Sequence, residues 1–347
     1  MKPSLSRVRT VALAAGAFMA MASTPPVHAD AVADFYEGKQ ITLLVVSGSG
    51  GLNALYARTL GDRFGEHVPG KPKVIYQFMP GGGGLKGANY CYAIAPKDGT
   101  VLCQVLNPLG LMQILRPKGV KYDANKFEYI GNTGDQNGSI AVWHTVQVKE
   151  LMDLRKVEVP FAGTGKGSES YYDAALINAI FGTKIKLVMG YKGGGALDMS
   201  MERQETLGRA GPLISWHVRR QQWLEEGKIK LLAQVGLKKV EAYKQIPLLV
   251  EFARNEEERA MINLISARSA IGRPVAAPPG VPKERVAALK KAFVDTMNDP
   301  GFKADVAKRR LLNDWRSGEE VQKIMADLLA TPQNLIAKTR ETLGWAQ

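Results

Sequence analysis

Short apolar runs alternate with segments of helical periodicity along most of the chain. The runs at residues 41–46, 74–78 and 101–106 are rich in Val, Ile and Leu, which is typical of strands buried on both faces. The same pattern returns at residues 157–162, 185–189 and 229–235. Strands that alternate with helices predict parallel sheets with right-handed crossovers. We therefore expect an α/β protein.

Capping residues predict where several helices begin. Asn53 has the character of an N-cap for a helix that ends near residue 66, and Pro282 that of the first residue of a helix to about residue 298. Ser317 and Glu320 have the spacing of a capping box. The C-terminal part is therefore predicted to be helical.

The first thirty residues have the composition of an export signal. Lys2, Arg7 and Arg9 precede an apolar segment at residues 11–22, and small residues at positions 27 and 29 suit cleavage after Ala29. A membrane anchor is the alternative, but that segment is too short to span about 30 Å of hydrocarbon. We therefore expect residues 1–29 to be removed and the rest to work in the periplasm without membrane insertion.

Length and charge narrow the function further. Residues 30–347 suffice for two domains, and loss of the three basic residues of the signal lowers the net charge from +13 to +10. A basic protein suits nucleic acid, an anionic membrane surface or anionic small ligands. We expect no nucleic-acid partner outside the cytoplasm, and the scattered Lys and Arg residues favour a solvated basic surface.

Cys91 and Cys103 remain after the signal. The export compartment permits a disulfide, and the end of a predicted helix lies within reach of the strand that follows it. Two buried free thiols are the alternative. The sequence leaves both possibilities open.

Three predicted strands end in glycine-rich loops that lead into a helix, at residues 47–51, 81–84 and 163–168. In an open α/β sheet, ligands bind beyond the carboxyl ends of the strands. Unpaired N–H groups at a helix N-terminus suit an anion, and a carboxylate fits as well as a phosphate. Tight turns would explain one such loop, whereas three in corresponding places favour a ligand site.

Nucleotide-binding and catalytic interpretations fit less well. Gly82, Gly84 and Gly87 match G-x-G-x-x-G, but the expected acidic residue about twenty positions later is missing. The loop at 163–168 resembles a P-loop, but Gly167 stands where Ser or Thr should follow the lysine. The sequence contains neither G-x-S-x-G nor H-E-x-x-H. We therefore expect no enzymatic activity, no metal and no cofactor.

At these loops the sequence resembles the solute-binding receptors of tripartite tricarboxylate transporters, also called TctC or Bug receptors. Residues 79–88 (MPGGGGLKGA) are similar to the family's Pro-Gly-Ala-Gly-Gly-x-x-Gly segment, and residues 161–168 (FAGTGKGS) to its Ser-x-Gly-x-Gly-Ser loop. Further segments that resemble family motifs in order and spacing are residues 35–46, 47–53, 95–102, 191–193 and 275–282. The resemblance covers nearly the whole chain after the signal.

The resemblance implies a two-lobed periplasmic binding protein (Venus flytrap) fold, with two mixed, mostly parallel sheets flanked by helices. Residues 30–136 and 253–347 would form lobe 1 and residues 137–252 lobe 2, with the ligand between them. A ligand carboxylate would be held by the first loop, the Ser-x-Gly-x-Gly-Ser loop and the end of the third strand. The implied ligand-binding residues are Ser47, Ser49, Gly50, Gly51, Asn53, Asn107, Thr164, Gly165, Gly167 and Ser168.

Some positions depart from the family pattern. Asn53 stands where the family has Asp, and Tyr171 where it has His. Residues 202–209 (ERQETLGR) resemble a subgroup of the family and place Arg209 where specificity is set. Its planar guanidinium suits a second carboxylate, with a salt bridge to the protein as the alternative. Trp216 is open between stacking on an aromatic ligand and packing in the core.

We therefore expect a monomeric solute-binding protein that captures a mono- or dicarboxylate, aliphatic or aromatic. It would deliver this ligand to the membrane subunits of a tripartite tricarboxylate-type transporter. A ligand-sensing adaptor for a membrane sensor kinase would use the same fold, and the sequence does not separate the two. An exported hydrolase is a third hypothesis, disfavoured because no catalytic triad or metal-ligand set is evident.

Overall fold

A computed structural model describes residues 27–345, and the predicted export signal lies outside these residues up to position 26. The first described helix begins at Val27, and cleavage after Ala29 stays a prediction. Within the described residues the strands are β1 (Gln40–Val45), β2 (Lys73–Phe78), β3 (Val101–Gln104), β4 (Glu128–Asn132), β5 (Gly138–Trp143), β6 (Val159–Gly163), β7 (Ile185–Met189), β8 (Gly208–Pro212), β9 (Ile229–Val235), β10 (Pro274–Ala277) and β11 (Arg316–Ser317).

Helices flank these strands. The α-helices are α1 (Val27–Tyr36), α2 (Leu52–His67), α3 (Leu85–Ala93), α4 (Leu109–Leu115), α5 (Glu169–Phe181), α6 (Gly194–Glu202), α7 (Ile214–Arg219), α8 (Gln221–Glu225), α9 (Glu256–Ser266), α10 (Lys283–Asn298), α11 (Pro300–Lys308), α12 (Gly318–Leu329) and α13 (Gln333–Thr342). Short 3₁₀ segments lie at Gly82–Gly84, Ala124–Lys126, Leu151–Arg155, Glu241–Tyr243, Leu249–Phe252 and Ala267–Ala270. Between residues 27 and 345, no helix is both long enough and apolar enough to cross a bilayer.

The strands form two separate sheets. The first has the order β11-β4-β10-β3-β1-β2, and the second the order β7-β6-β8-β5-β9. In the first sheet β10 and β11 run against the other four strands, and in the second only β5 is reversed. The predicted fold class, two mixed and mostly parallel sheets flanked by helices, is confirmed.

Successive side chains of β1 pack on opposite faces of the first sheet. Leu43 and Val45 pack into the cluster formed with α2 and α10, whereas Leu44 packs into the cluster on the opposite face. This follows because successive side chains of a strand point to opposite faces. A disulfide joins Cys91 of α3 to Cys103 of β3 beneath that second face, which resolves the alternative left open by the sequence.

Most predicted boundaries agree with the structure to within a few residues, and the capping box at Ser317 and Glu320 is present. The prediction of Asn53 as an N-cap is wrong, because Gly51 occupies that position and Asn53 lies in the first turn of α2. Pro282 is likewise the N-cap of α10 rather than its first residue. Strands β4, β5, β8 and β10 were not predicted, since Gly and Pro interrupt the apolar runs that signal a strand.

Two chain crossings connect the sheets, after β4 and before β10. They are joined by a hydrogen bond of 2.9 Å from Gln136 N to the Ser269 carbonyl. Arg268, on the returning crossing, donates a hydrogen bond to the buried carboxyl group of Asp173 in α5. Helix α9 packs against both α5 and α13. The expected lobe boundaries at residues 136 and 252 stay a prediction.

Candidate functional site

A cavity of about 90 Å³ lies between the two sheets. It is lined by the segments that follow β1, β3, β6 and β7, by the crossing at Gln136, and by β8. Because parallel strands end on the same edge of a sheet, the topology brings these loops together. The cavity is smaller than the roughly 150 Å³ that accommodates benzene, so it suits a short ligand.

The first loop exposes the start of α2 to this cavity. No side chain caps the helix, whose N-cap is Gly51, although the first N–H groups of a helix lack partners within it. Ser47, Gly51 and Asn53 line the cavity, and the Ser47 Oγ is buried without a hydrogen-bond partner. This loop therefore offers unused donors at the positive end of a helix dipole.

The start of α5 faces the same cavity from the second sheet. Ser168 is the N-cap of α5, but its hydroxyl does not cap the helix and instead bonds to the Gly165 carbonyl at 2.8 Å and to the Ser170 hydroxyl at 2.8 Å. The Ser170 Oγ accepts a hydrogen bond of 3.1 Å from the Thr164 N–H. These bonds hold the loop in shape and leave the helix start without a side-chain cap.

Several glycines mediate contact between the two halves of the cleft. A Cβ on Gly83 would lie 2.5 Å from the Ser168 N, and one on Gly48 would overlap the Lys192 carbonyl. A Cβ on Gly165 would in turn overlap the Gly83 N. Since any side chain at these positions would separate the loops, glycine permits their backbones to touch. The structure is thus an arrangement in which the two halves meet over the cavity.

Arg209 lies on the wall of the cavity, and 1% of its side chain is exposed. Its Nη2 lies 2.9 Å from Asp198 Oδ1 and donates a hydrogen bond of 3.0 Å to the Ser215 hydroxyl. Its guanidinium carbon is 3.9 Å from the centroid of the Trp216 ring. Trp216 itself is fully buried and does not line the cavity. The guanidinium is therefore held in one orientation by three neighbours.

Asp198 of α6 is surrounded by arginines. Besides Arg209, its carboxylate lies 3.2 Å from Arg220 Nε and 3.8 Å from Arg219 Nε. Burial lowers the pKa of Arg219, an effect that Asp198 opposes. Three guanidinium groups facing one carboxylate leave an excess of positive charge, and Arg219 also lines the cavity. Coulomb attraction at partly buried sites is screened little, so this excess favours an anion.

Glu169, the first residue of α5, contributes an acid to the same cavity. Its Oε2 accepts a hydrogen bond of 2.8 Å from Gln136 Nε2. Burial raises the pKa of the Glu169 carboxyl, while the nearby Arg268 and the Gln136 hydrogen bond oppose the shift. The Gln136 Oε1 is buried without a donor. The site therefore presents unused acceptors as well as donors.

The predicted site residues separate into two groups. Those that line the cavity are Ser47, Gly51, Asn53, Asn107, Thr164, Ser168 and Arg209. Those that do not are Ser49, Gly50, Gly165 and Gly167. Gly165 and Gly167 instead contact the glycine segment 82–83 of the other half, and the Ser49 carbonyl accepts a hydrogen bond from Arg58. Whether any of them binds a ligand stays a prediction.

Several residues of the cavity are not indicated by any sequence pattern. Gln136, Glu169, Asp198 and Arg219 are far apart in the chain and carry no motif. An acid at the first position of a helix that follows a glycine loop was the available signal for Glu169. In the part of the chain that the structure describes, no three His, Cys, Asp or Glu side chains are grouped so as to hold a metal ion.

Comparison with known proteins agrees with this architecture. No protein-family model matches the chain. A Cupriavidus necator protein, named UPF0065 protein in gbd 5'region, is 23% identical over 335 residues, which are 94% of each chain.

Solved structures of periplasmic binding proteins share the fold. BugD superposes with a TM-score of 0.70 at 19% identity, covering 88% of this chain and 98% of BugD. MatC from Rhodopseudomonas palustris, solved with bound malate, gives a TM-score of 0.68 at 17% identity, covering 86% of this chain and 99% of MatC. Rpa4515 from R. palustris, solved with adipate, gives a TM-score of 0.67 at 20% identity, covering 88% of this chain and 98% of Rpa4515. The resemblance to Bug-type receptors found in the sequence is thereby confirmed at the level of the fold.

Proposed function

We propose that this protein captures a small organic anion in the cavity between its two halves and delivers it, in the periplasm, to the membrane subunits of a tripartite tricarboxylate-type transporter. The observation that carries the proposal is the set of donors around one cavity. Two uncapped helix starts, at Gly51 and Ser168, and the guanidinium of Arg219 surround about 90 Å³ of space.

The charge around the cavity supports an anion over a neutral ligand. Asp198 neutralises one of the three guanidinium groups that surround it, which leaves an excess of positive charge beside Arg219 on the cavity wall. A groove of about 620 Å³ shares Ser47 and Thr164 with the cavity and carries Lys86 and Lys192 on its walls. Lysines beside a binding site raise the local concentration of anions and accelerate their capture.

The related structures point to the same ligand class. MatC and Rpa4515 are described with malate and adipate, which are both dicarboxylates. Capture would proceed by closure of the two halves around the ligand, as in hinge-bending binding proteins. A binding protein of this kind requires neither a cofactor nor a catalytic group.

A thermal-shift screen tests the proposal. Acetate, propionate, succinate, malate, adipate and benzoate are compared with the neutral amides of the same acids. A ligand at a thousandfold excess over its Kd should stabilise the protein by about 4 kcal/mol. Stabilisation by amides and not by any of the acids would refute the anion proposal.

Two variants locate the site. Arg219→Gln and Ser168→Ala should weaken binding of the best acid at least about tenfold, because each removes a group that lines the cavity. Arg155→Gln, at an exposed position outside the cavity, is the matched control and should bind as the unmodified protein does. Unchanged affinity in both cavity variants would exclude this cavity as the site.

Delivery to a transporter needs its own measurement. Uptake of the identified acid into proteoliposomes that contain the transporter membrane subunits should depend on the addition of this protein. Uptake that proceeds equally well without it would contradict the transport role and leave anion binding intact.

A further inference from the structure

At one position in the cavity, a carboxylate and a guanidinium group lie close to the same glycine. Gly211 of β8 lines the cavity between Glu169 and Arg209. A Cβ on Gly211 would overlap Arg209 Nη1 and lie 3.9 Å from Glu169 Oε1. Arg209 Nη1 and Glu169 Oε1 therefore lie within 4 Å of one point beside Gly211 and border the same part of the cavity.

The two atoms that flank this space are unused. Among residues 27–345, the carboxylate partner of Arg209 is Asp198, which lies at its Nη2, and Nη1 makes no hydrogen bond. The Glu169 Oε2 is taken by Gln136, whereas no described residue donates to Oε1. Each atom therefore retains its capacity for a ligand, and leaving such groups unpaired in a buried site is costly.

Gln136 strengthens the acceptor side of the space. Its Nε2 donates to Glu169, which fixes the orientation of the amide and leaves the buried Oε1 without a donor. On the donor side, Asn107 lines the same cavity with a buried Nδ2 that has no acceptor. The cavity thus has unsatisfied acceptors next to unsatisfied donors, a combination that a simple carboxylate does not match.

We propose that Glu169 and Gln136 make this site selective for acids that carry a hydrogen-bond donor, a hydroxyl or an ammonium group, on the carbon next to the carboxylate. The ligand carboxylate accepts from Arg209 Nη1 and Asn107 Nδ2, and the donor group faces Glu169 Oε1. The donor is adjacent to the carboxylate because Glu169 Oε1 and Arg209 Nη1 both lie within 4 Å of one point beside Gly211, so neighbouring groups of one ligand can reach both. This proposal rests on the proposed anion-binding function and names the ligand class within it.

Two matched series of probes test the selectivity by calorimetry. Propionate, L-lactate and L-alanine share three carbons and differ in the group at carbon 2, and succinate, L-malate and L-aspartate repeat the comparison with four carbons. In at least one series, an acid with a donor should bind at least about tenfold more tightly than its unsubstituted parent, because a hydrogen bond to a charged group is formed only by the former. Equal affinities within both series would overturn the proposal, while anion binding itself would stand.

Variants identify the residue and the kind of donor. Glu169→Leu should abolish the preference for a donor within each series. Glu169→Gln keeps an acceptor but removes the charge, so it should retain binding of a hydroxy acid and lose the preference for an amino acid. Retention of the full preference in Glu169→Leu would overturn the assignment.

Controls separate this proposal from failure of the fold or of the proposed function. Glu256→Gln changes an acid at the first position of α9, outside the cavity, and should leave every affinity unchanged. Gln136→Leu provides a second variant if Glu169→Leu is unstable, and it should reduce the same preference. If none of the six acids binds while their amides do, the anion-binding function fails and the selectivity proposal falls with it.

Discussion

Replacement of Asp198 by Ala should destabilise the protein strongly, because Asp198 is the carboxylate at the centre of the arginine cluster. Its side chain is 1% exposed, as is that of its partner Arg209, and their charged atoms are 2.9 Å apart. Arg219 and Arg220 approach the same carboxylate with about three-quarters of their side chains buried. Asp198→Ala leaves three positive charges facing one another in a poorly solvated place.

The expected loss is about 3–5 kcal/mol in the free energy of unfolding, the cost of removing one partner of a buried ion pair. Replacing both partners with apolar residues is far less costly, since neither charge is then buried alone. The double variant Asp198→Ala with Arg209→Met should therefore be more stable than Asp198→Ala by itself. The exposed pair of Asp327 and Lys323 is the comparison, where Asp327→Ala should cost less than about 1 kcal/mol.

Urea unfolding followed by tryptophan fluorescence measures these differences as midpoint shifts at constant slope. The reasoning is refuted if Asp198→Ala unfolds at the same midpoint as Asp327→Ala. It is also refuted if the stability lost in the double variant equals the sum of the losses measured separately for Asp198→Ala and Arg209→Met. The two residues would then act independently.

Three further predictions concern other parts of the molecule. Replacing Cys91 and Cys103 with Ser should lower the free energy of unfolding by about 3 kcal/mol. Reduction of the unmodified protein should lower its Tm to that of the double Ser variant, and an unchanged Tm would contradict this. Gly83→Ala, which places a methyl group against the opposite loop, should weaken ligand binding. Gly82→Ala is the control, because Gly82 shares the positive φ but its methyl group would meet only Leu85. Equal affinities of the two variants would contradict the role of Gly83 in the contact between the loops. Burial raises the pKa of Asp173 to about 7, so the folded protein holds a proton that the unfolded chain releases near pH 4. The stability contributed by this proton is complete at low pH and declines as the pH rises to about 7, by at most about 1.4 kcal/mol per pH unit, and Asp173→Asn should abolish that slope relative to the unmodified protein.

Local sequence patterns were sufficient for much of the fold. The apolar run of β1 and the capping box of α12 each involve only residues close together in the chain. The hydrophobic pattern and the capping residues therefore predict them directly. Strand β8, with the sequence GRAGP, escaped prediction because its position between β5 and β6, rather than its own composition, makes it a strand. Helix α2 begins two residues before the position that Asn53 indicates, with Gly51 as its N-cap.

Local sequence is enough to predict that glycine loops follow the strands, that a helix starts near each loop, and that the motif order resembles a two-lobed receptor. Tertiary packing determined which glycines face the cavity and which, like Gly165, hold the two halves in contact. It also decided that Arg209 is shared with Asp198 and that Glu169 stands across from it at Gly211. Such relations depend on how loops and strands pack together in space, whereas a hydrophobic period or a helix cap involves only residues close together in the chain.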